Sequence, residues 1–232
     1  MNTNSGFSIP PIARTGQMTS HEYVYARLRY ALMTGAIVPG TALKIRALAV
    51  YLGISPTPVR EALRRLCSES ALEVLGNRRI VVPQMNEGRF DELILLRVHL
   101  ECLAAERALP YVSNILIEKM ARLDERMDRA ASGRDYNALT VLNQDFHELL
   151  YTANPNQSVM PLIQSVWLQL GPFQRQVMDR VLDYYEVDRH KEILDALNTR
   201  DAVALCRATE ADIRDGIGRA GAEVMEQVLA RA

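Results

Sequence analysis

Residues 44–65 read KIRALAVYLGISPTPVREALRR. Two short amphipathic segments meet at Gly53, which suits the left-handed residue that ends a helix. The second segment opens on Ser55, a good N-cap. Pro56 and Pro58 follow in a first turn whose N–H groups lack intrahelical partners anyway. Val59, Ala62, Leu63 and Leu66 then recur at helical spacing and predict a buried stripe, with Arg60 and Arg64 four apart on another face. A helix that presents a hydroxyl cap and arginines at its exposed end suits phosphate and base edges. The expectation is a helix-turn-helix.

Working outward, residues 20–35 predict a preceding helix capped by Ser20, and Pro39-Gly40 predicts a turn. A short strand is expected over 41–45. Leu72–Leu75 and Ile80–Val82 bracket Gly76-Asn77-Arg78-Arg79 and predict a β-hairpin with a basic tip. The order helix, strand, helix, turn, helix, hairpin is that of a winged helix-turn-helix. Residues 1–19, polar and carrying a proline pair, are expected to be a flexible arm. Residues 20–83 form the DNA-binding domain, 84–87 a linker, and 88–232 a second domain.

Composition supports this division. The net charge is −1, yet residues 1–83 carry +6 and the remainder −7, as expected for a nucleic-acid contact confined to the first part. No apolar run is long enough for a membrane span or a signal peptide. Cys67, Cys102 and Cys206 are odd in number and scattered, so neither a disulfide framework nor a cysteine zinc site is expected, and a cytoplasmic location is.

From residue 88 on the pattern is helical throughout, predicting an all-α bundle of six or seven helices. The first, Glu87–Leu109, is expected to bury Leu93, Leu96, Leu100 and Leu103. A kink is expected at Gly171-Pro172. Several polar residues fall on apolar faces. Asn143 and His147 lie four apart among Leu139, Leu142, Phe146 and Leu150. His190 lines up with Leu194 and Leu197, and Asp212 with Leu205 and Ala208. Arg97 and Glu101 lie four apart beside the leucines of the first bundle helix.

The run YARLRYALMTGAIVPGTAL…LAVYLGISPTPVREALRRL resembles the GntR family of bacterial transcription factors over about residues 20–83. The helical remainder resembles the FCD domain of the FadR subfamily. The resemblance implies a homodimer on a near-palindromic operator, acting as a repressor and not an enzyme. It also implies that a small carboxylate effector binds in the helical domain. It places Arg46, Ser55, Thr57 and Arg60, with Asn77 and Arg78 of the wing, at DNA-contacting positions. Pro56 stands where the family often has arginine, and Arg79 where it often has glycine at the wing tip.

In the FCD family, one carboxylate and three histidines hold a divalent metal, and a nearby arginine helps hold the effector. Matched segments place Asn143, His147, His190 and Asp212 at the four ligand positions, Asn143 where aspartate is usual and Asp212 where the third histidine is. Arg97 is the best candidate for the effector arginine, since its planar fork suits two carboxylate oxygens. Two imidazoles and a carboxylate suit Zn²⁺, Ni²⁺, Mn²⁺ or Fe²⁺, with the Asn143 amide as a weak fourth donor. Two alternatives stand beside this. One is a metal-free polar pocket in which Asp212 pairs with a histidine or Arg97, while Arg97 pairs with Glu101. The other is a helical metalloenzyme using the two-histidine, one-carboxylate set. Tyr151, Trp167 and Arg175 are further candidates to line the pocket.

Overall fold

The computed structural model describes residues 9–14, 16, 18–184 and 188–229. In chain order the elements are α1 (Ser20–Met33), α2 (Ile45–Leu52), α3 (Pro56–Ser68), β1 (Glu73–Val74), β2 (Ile80–Val81), α4 (Glu87–Ala108), α5 (Asn114–Ser132), α6 (Tyr136–Tyr151), α7 (Met160–Tyr184), α8 (Arg189–Thr199), α9 (Ala202–Ile213) and α10 (Arg219–Leu229). A 3-10 turn follows α4 and a π turn separates α9 from α10. The chain divides into two compact units: Met1–Met85 with Trp167–Arg175, and Asn86–Val166 with Gln176–Ala232.

In the first unit α1 packs on α3 through Val24, Leu28, Ala31 and Leu32 against Val59, Ala62, Leu63 and Leu66. Thr19, not Ser20, caps α1. Its hydroxyl accepts from the Glu22 N–H while the Glu22 carboxylate accepts from the Thr19 N–H at 2.9 Å, a reciprocal capping box. Gly53, at φ +66°, ends α2 in the left-handed region, as its position between the two helices requires. The strand expected over 41–45 reduces to a single bridge, Ala42 with Val81, beside the β1–β2 hairpin.

Within the expected flexible arm, Ile9 and Pro10 are docked. Ile9 is buried, its N–H donates to the Tyr51 hydroxyl at 3.2 Å, and Arg27 donates to the Ile9 and Pro10 carbonyls at 2.9 and 3.0 Å. An isolated apolar residue in a polar stretch carries no periodicity, so this anchor was not legible from pattern.

The first unit is completed by Trp167–Arg175 from the middle of α7. Gly171 and Pro172 lie inside a continuous helix. Gly171 serves close approach: a Cβ there would stand 2.6 Å from the Leu32 carbonyl oxygen and 2.7 Å from Met33 Cα. Backbone atoms cannot rotate aside as a side chain can. Gly171→Ala is therefore expected to lower stability by about 2 kcal/mol. Gly76→Ala, with nothing within 4 Å of its Cβ, is expected to be near neutral. Urea unfolding of the two variants checks this; equal midpoints would refute the close approach.

The second unit contains α4, α5, α6, α8, α9, α10 and both ends of α7. Asn86, Ser113, Asp135, Asp188 and Asp201 cap α4, α5, α6, α8 and α9 with side-chain oxygens. The packed pairs are α5 on α6, α8 on α9, α4 on α9, α5 on α8 and α4 on α6. The buried face of α4 differs from the leucine stripe expected. Phe90, Leu93, Ile94, Arg97, Val98, Glu101 and Cys102 turn inward, while Leu96 and Leu103 are 47% and 43% exposed. Arg97 and Glu101 neutralise one another and can therefore take inward positions that hydropathy assigns to leucines.

Candidate nucleic-acid interface and candidate metal centre

Arg46, Ser55, Thr57 and Arg60 all lie exposed on α2, the turn and the N-terminal half of α3. The Ser55 hydroxyl does not close the cap of α3. The arginines of the motif divide into two kinds. Arg64 lies 3.6 Å from Glu61, and Arg65 pairs with Glu69 at 3.0 Å while stacking 3.7 Å over the Tyr25 ring. The Tyr25 hydroxyl donates to the same Glu69 carboxylate, so Arg65 belongs to a surface network. Among the described residues Arg46 and Arg60 make no ion pair. A guanidinium without a protein partner keeps its charge and its planar donors for a ligand.

The hairpin places Asn77, Arg78 and Arg79 exposed at the wing tip. Arg78 takes a left-handed conformation at φ +60° and donates its N–H to the Leu75 carbonyl at 2.8 Å. The Asn77 side-chain oxygen accepts from the Arg79 N–H at 3.1 Å, so Asn77 closes the turn that presents the arginines. The left-handed position is thus held by Arg78, beside a turn that Asn77 braces.

In the second unit, α6 supplies Asn143, His147 and Tyr151, α8 supplies His190, α9 supplies Asp212, and α4 supplies Arg97 and Glu101. His147 Nε2 lies 3.1 Å from Asp212 Oδ2, and His190 Nε2 lies 3.6 Å from Asp212 Oδ1. The Asn143 amide nitrogen is 3.0 Å from His190 Nε2. The two imidazole centroids are 5.5 Å apart. One donor atom each from His147, His190 and Asp212 lie within 4.8 Å of one another, all three residues being buried. Trp167 and Arg175, expected as lining, fall in the first unit. Sequence spacing does not say which helix face turns to which neighbour.

This donor set fits a divalent cation. Bonds of about 2.0–2.2 Å to nitrogen and oxygen place adjacent ligands about 3 Å apart, close to the two separations from Asp212. His147 is wholly buried, yet its Nε2 has no hydrogen-bond partner; the nearby Asp212 oxygen lies outside hydrogen-bonding geometry. A buried ring nitrogen without a partner is costly unless something occupies its lone-pair direction. Burial depresses the His190 pKa, with His147 acting in the same direction and Asp212 against it. The ring is thereby kept in the neutral form that ligates metal.

Around these three residues lies a set of buried polar partners. Arg97 donates from Nε to Glu101 Oε1 at 2.6 Å and from Nη2 to Oε2 at 3.3 Å. Burial alone would lower the Arg97 pKa, but Glu101 outweighs it and the net direction is upward. Tyr151 bonds both Glu101 and His147, and burial with the adjacent Glu101 charge pushes its phenol well above the usual range. Asp124 lies 3.5 Å from His190 Nδ1, and its pKa is pushed up to about 6 by burial and by the neighbouring Asp188 and Asp128. Asp124 escaped the sequence reading. The available signal was a carboxylate in register with Ile117, Met120 and Met127, the buried face of α5.

Comparison with known proteins identifies the family of each unit. The family model described as "Bacterial regulatory proteins, gntR family" matches residues 21–82, and the FCD domain model matches residues 92–215, more than half the chain. The HTH-type transcriptional regulator McbR of Escherichia coli K12 is 28% identical over 203 residues, spanning 88% of each protein. The gluconate operon transcriptional repressor of Bacillus subtilis is 25% identical over 213 residues, covering 88% of this chain and 84% of the repressor. The solved structure of E. coli McbR/YncC superposes with a TM-score of 0.75 at 26% identity, over 92% of this chain and 97% of that one. These relatives are transcription regulators, which sets aside the metalloenzyme alternative. Among the described residues no helix is long and apolar enough to cross a membrane.

Proposed function

The chain belongs to the gntR family of bacterial regulatory proteins and carries an FCD domain, and from that premise we propose that it is a cytoplasmic homodimeric repressor. In this reading a small ligand in the helical unit controls operator binding. Arg46 and Arg60 face the major groove, Ser55 and Thr57 meet phosphate, and Asn77 and Arg78 present the wing. His147, His190 and Asp212 hold a divalent cation, with the Asn143 amide beside them. Three protein donors leave open positions on such an ion. A small carboxylate, a hard oxygen donor, is the ligand class that suits those positions. For the ligand to act, it must bind the DNA-free arrangement more tightly than the DNA-bound one.

The observation that carries the ligand-responsive part is the buried, unpartnered Nε2 of His147 beside the Asp212 carboxylate. Homodimerisation is supported by Leu95, Leu96 and Leu103, an exposed apolar stripe along α4. Metal analysis of the purified protein is expected to find close to one divalent ion per chain. A His147→Ala/His190→Ala variant is expected to lose it. Equal, negligible metal in both proteins would end the metal reading and leave the DNA-binding assignment standing.

A further inference from the structure

Arg97, the candidate for holding an effector carboxylate, already faces a carboxylate of its own chain. Glu101 is fully buried, and Arg97 holds both of its oxygens. The Arg97 charge is therefore balanced before any ligand arrives. What this pair does is indicated by its next contact.

Tyr151 has one hydroxyl proton, and Glu101, as a carboxylate, can only accept. Tyr151 thus donates to Glu101 Oε2 at 3.1 Å. The hydroxyl oxygen then accepts from His147 Nδ1 at 3.2 Å. The network so assigns the His147 proton to Nδ1 and leaves its lone pair on Nε2. That nitrogen is the buried one without a hydrogen-bond partner, 3.1 Å from Asp212 Oδ2. Asp124, 3.5 Å from His190 Nδ1, stands in the corresponding outer place on the other histidine.

We propose that Arg97, Glu101 and Tyr151 form an orienting relay that holds His147 in the Nδ1–H tautomer with Nε2 turned toward a cation, and that Arg97 is a positioning residue rather than a clamp for a ligand carboxylate. Arg97 holds Glu101 as an acceptor, Glu101 fixes the direction of the Tyr151 proton, and Tyr151 fixes the tautomer. Outer partners of this kind set both ring orientation and ligand basicity. The inference rests on the metal reading above.

Tyr151→Phe tests it with the least disturbance, because it removes one oxygen and leaves the Arg97–Glu101 pair in place. Zn²⁺ binding to the full-length chain is measured by competition with a chromophoric chelator, beside the thermal midpoint of the metal-free protein. Imidazole ¹⁵N resonances of the metal-free wild type report the His147 tautomer. The expected result is the Nδ1–H form in the wild type and Zn²⁺ affinity about 10-fold or more weaker in the variant. Wild-type affinity in Tyr151→Phe would overturn the relay while leaving the metal site intact. Failure of the wild type itself to bind Zn²⁺ would overturn both. Should the variant not fold, the wild-type spectrum decides, since an Nε2–H form of His147 refutes the relay and an Nδ1–H form supports it.

Discussion

Replacing Glu101 with alanine is expected to destabilise the helical unit by about 3–5 kcal/mol, because it leaves the buried Arg97 charge without its partner. The Glu101 side chain is 0% exposed and that of Arg97 is 9% exposed, so water cannot substitute for the lost carboxylate. The Tyr151 hydroxyl loses an acceptor in the same step. Removing both charges together, as Arg97→Met/Glu101→Leu, is expected to recover at least half of the loss, since apolar groups of similar volume need no partner. Urea unfolding followed by circular dichroism measures both. A Glu101→Ala protein within about 1 kcal/mol of the wild type would mean that the pair is hydrated and not buried.

Arg60→Ala is expected to weaken specific DNA binding by about 1–3 kcal/mol, roughly 5- to 150-fold, and to relax preference at the base pair it reads. Arg64→Ala serves as the comparison. Arg64 lies four residues further along the same helix but stands beside Glu61, and its removal is expected to cost far less. The probe is a duplex selected from a random pool by the wild-type protein, titrated at one fixed salt concentration, because phosphate contacts alone shift apparent affinity with salt. Equal losses in the two variants would show that α3 contributes general positive charge and not a base contact. The split between Arg46 and Arg60 on one side and Arg64 and Arg65 on the other is the structural ground for this difference. All four are arginines on exposed helix faces, and only their neighbours tell them apart.

Much of the first unit was legible in residues 44–65. Gly53, Ser55, Pro58 and the stripe Val59, Ala62, Leu63 and Leu66 act locally, through capping, φ restriction and helical period. Such effects depend on neighbours within a few residues. The structure realises the Gly53 stop, the proline-started first turn and the buried stripe, while Ser55 sits at the N-cap position without closing it through its hydroxyl. In the helical unit the same logic brought His190 and Asp212 to buried faces, because each sits in register with apolar residues of its own helix. It failed on α4, where Leu96 and Leu103 were assigned inward and Arg97 and Glu101 hold buried positions. Hydropathy treats residues one at a time, whereas two opposite charges four residues apart can be buried as a pair.

By itself, then, the sequence determined the helix order, the winged helix-turn-helix, the all-α remainder and the chemical types gathered for the two sites. Those features follow from short-range periodicity and from turn and cap residues. Tertiary structure alone decided that Gly171 admits a backbone contact with Leu32 and Met33, that Ile9 is anchored by Tyr51 and Arg27, and that Arg97 faces Glu101. It also decided that the Nε2 atoms of His147 and His190 converge on Asp212. Each of these outcomes depends on how one element is placed against another or on how a side chain is partnered in the packed unit. Spacing along the chain specifies which residues share a helix face, but not which neighbour that face meets.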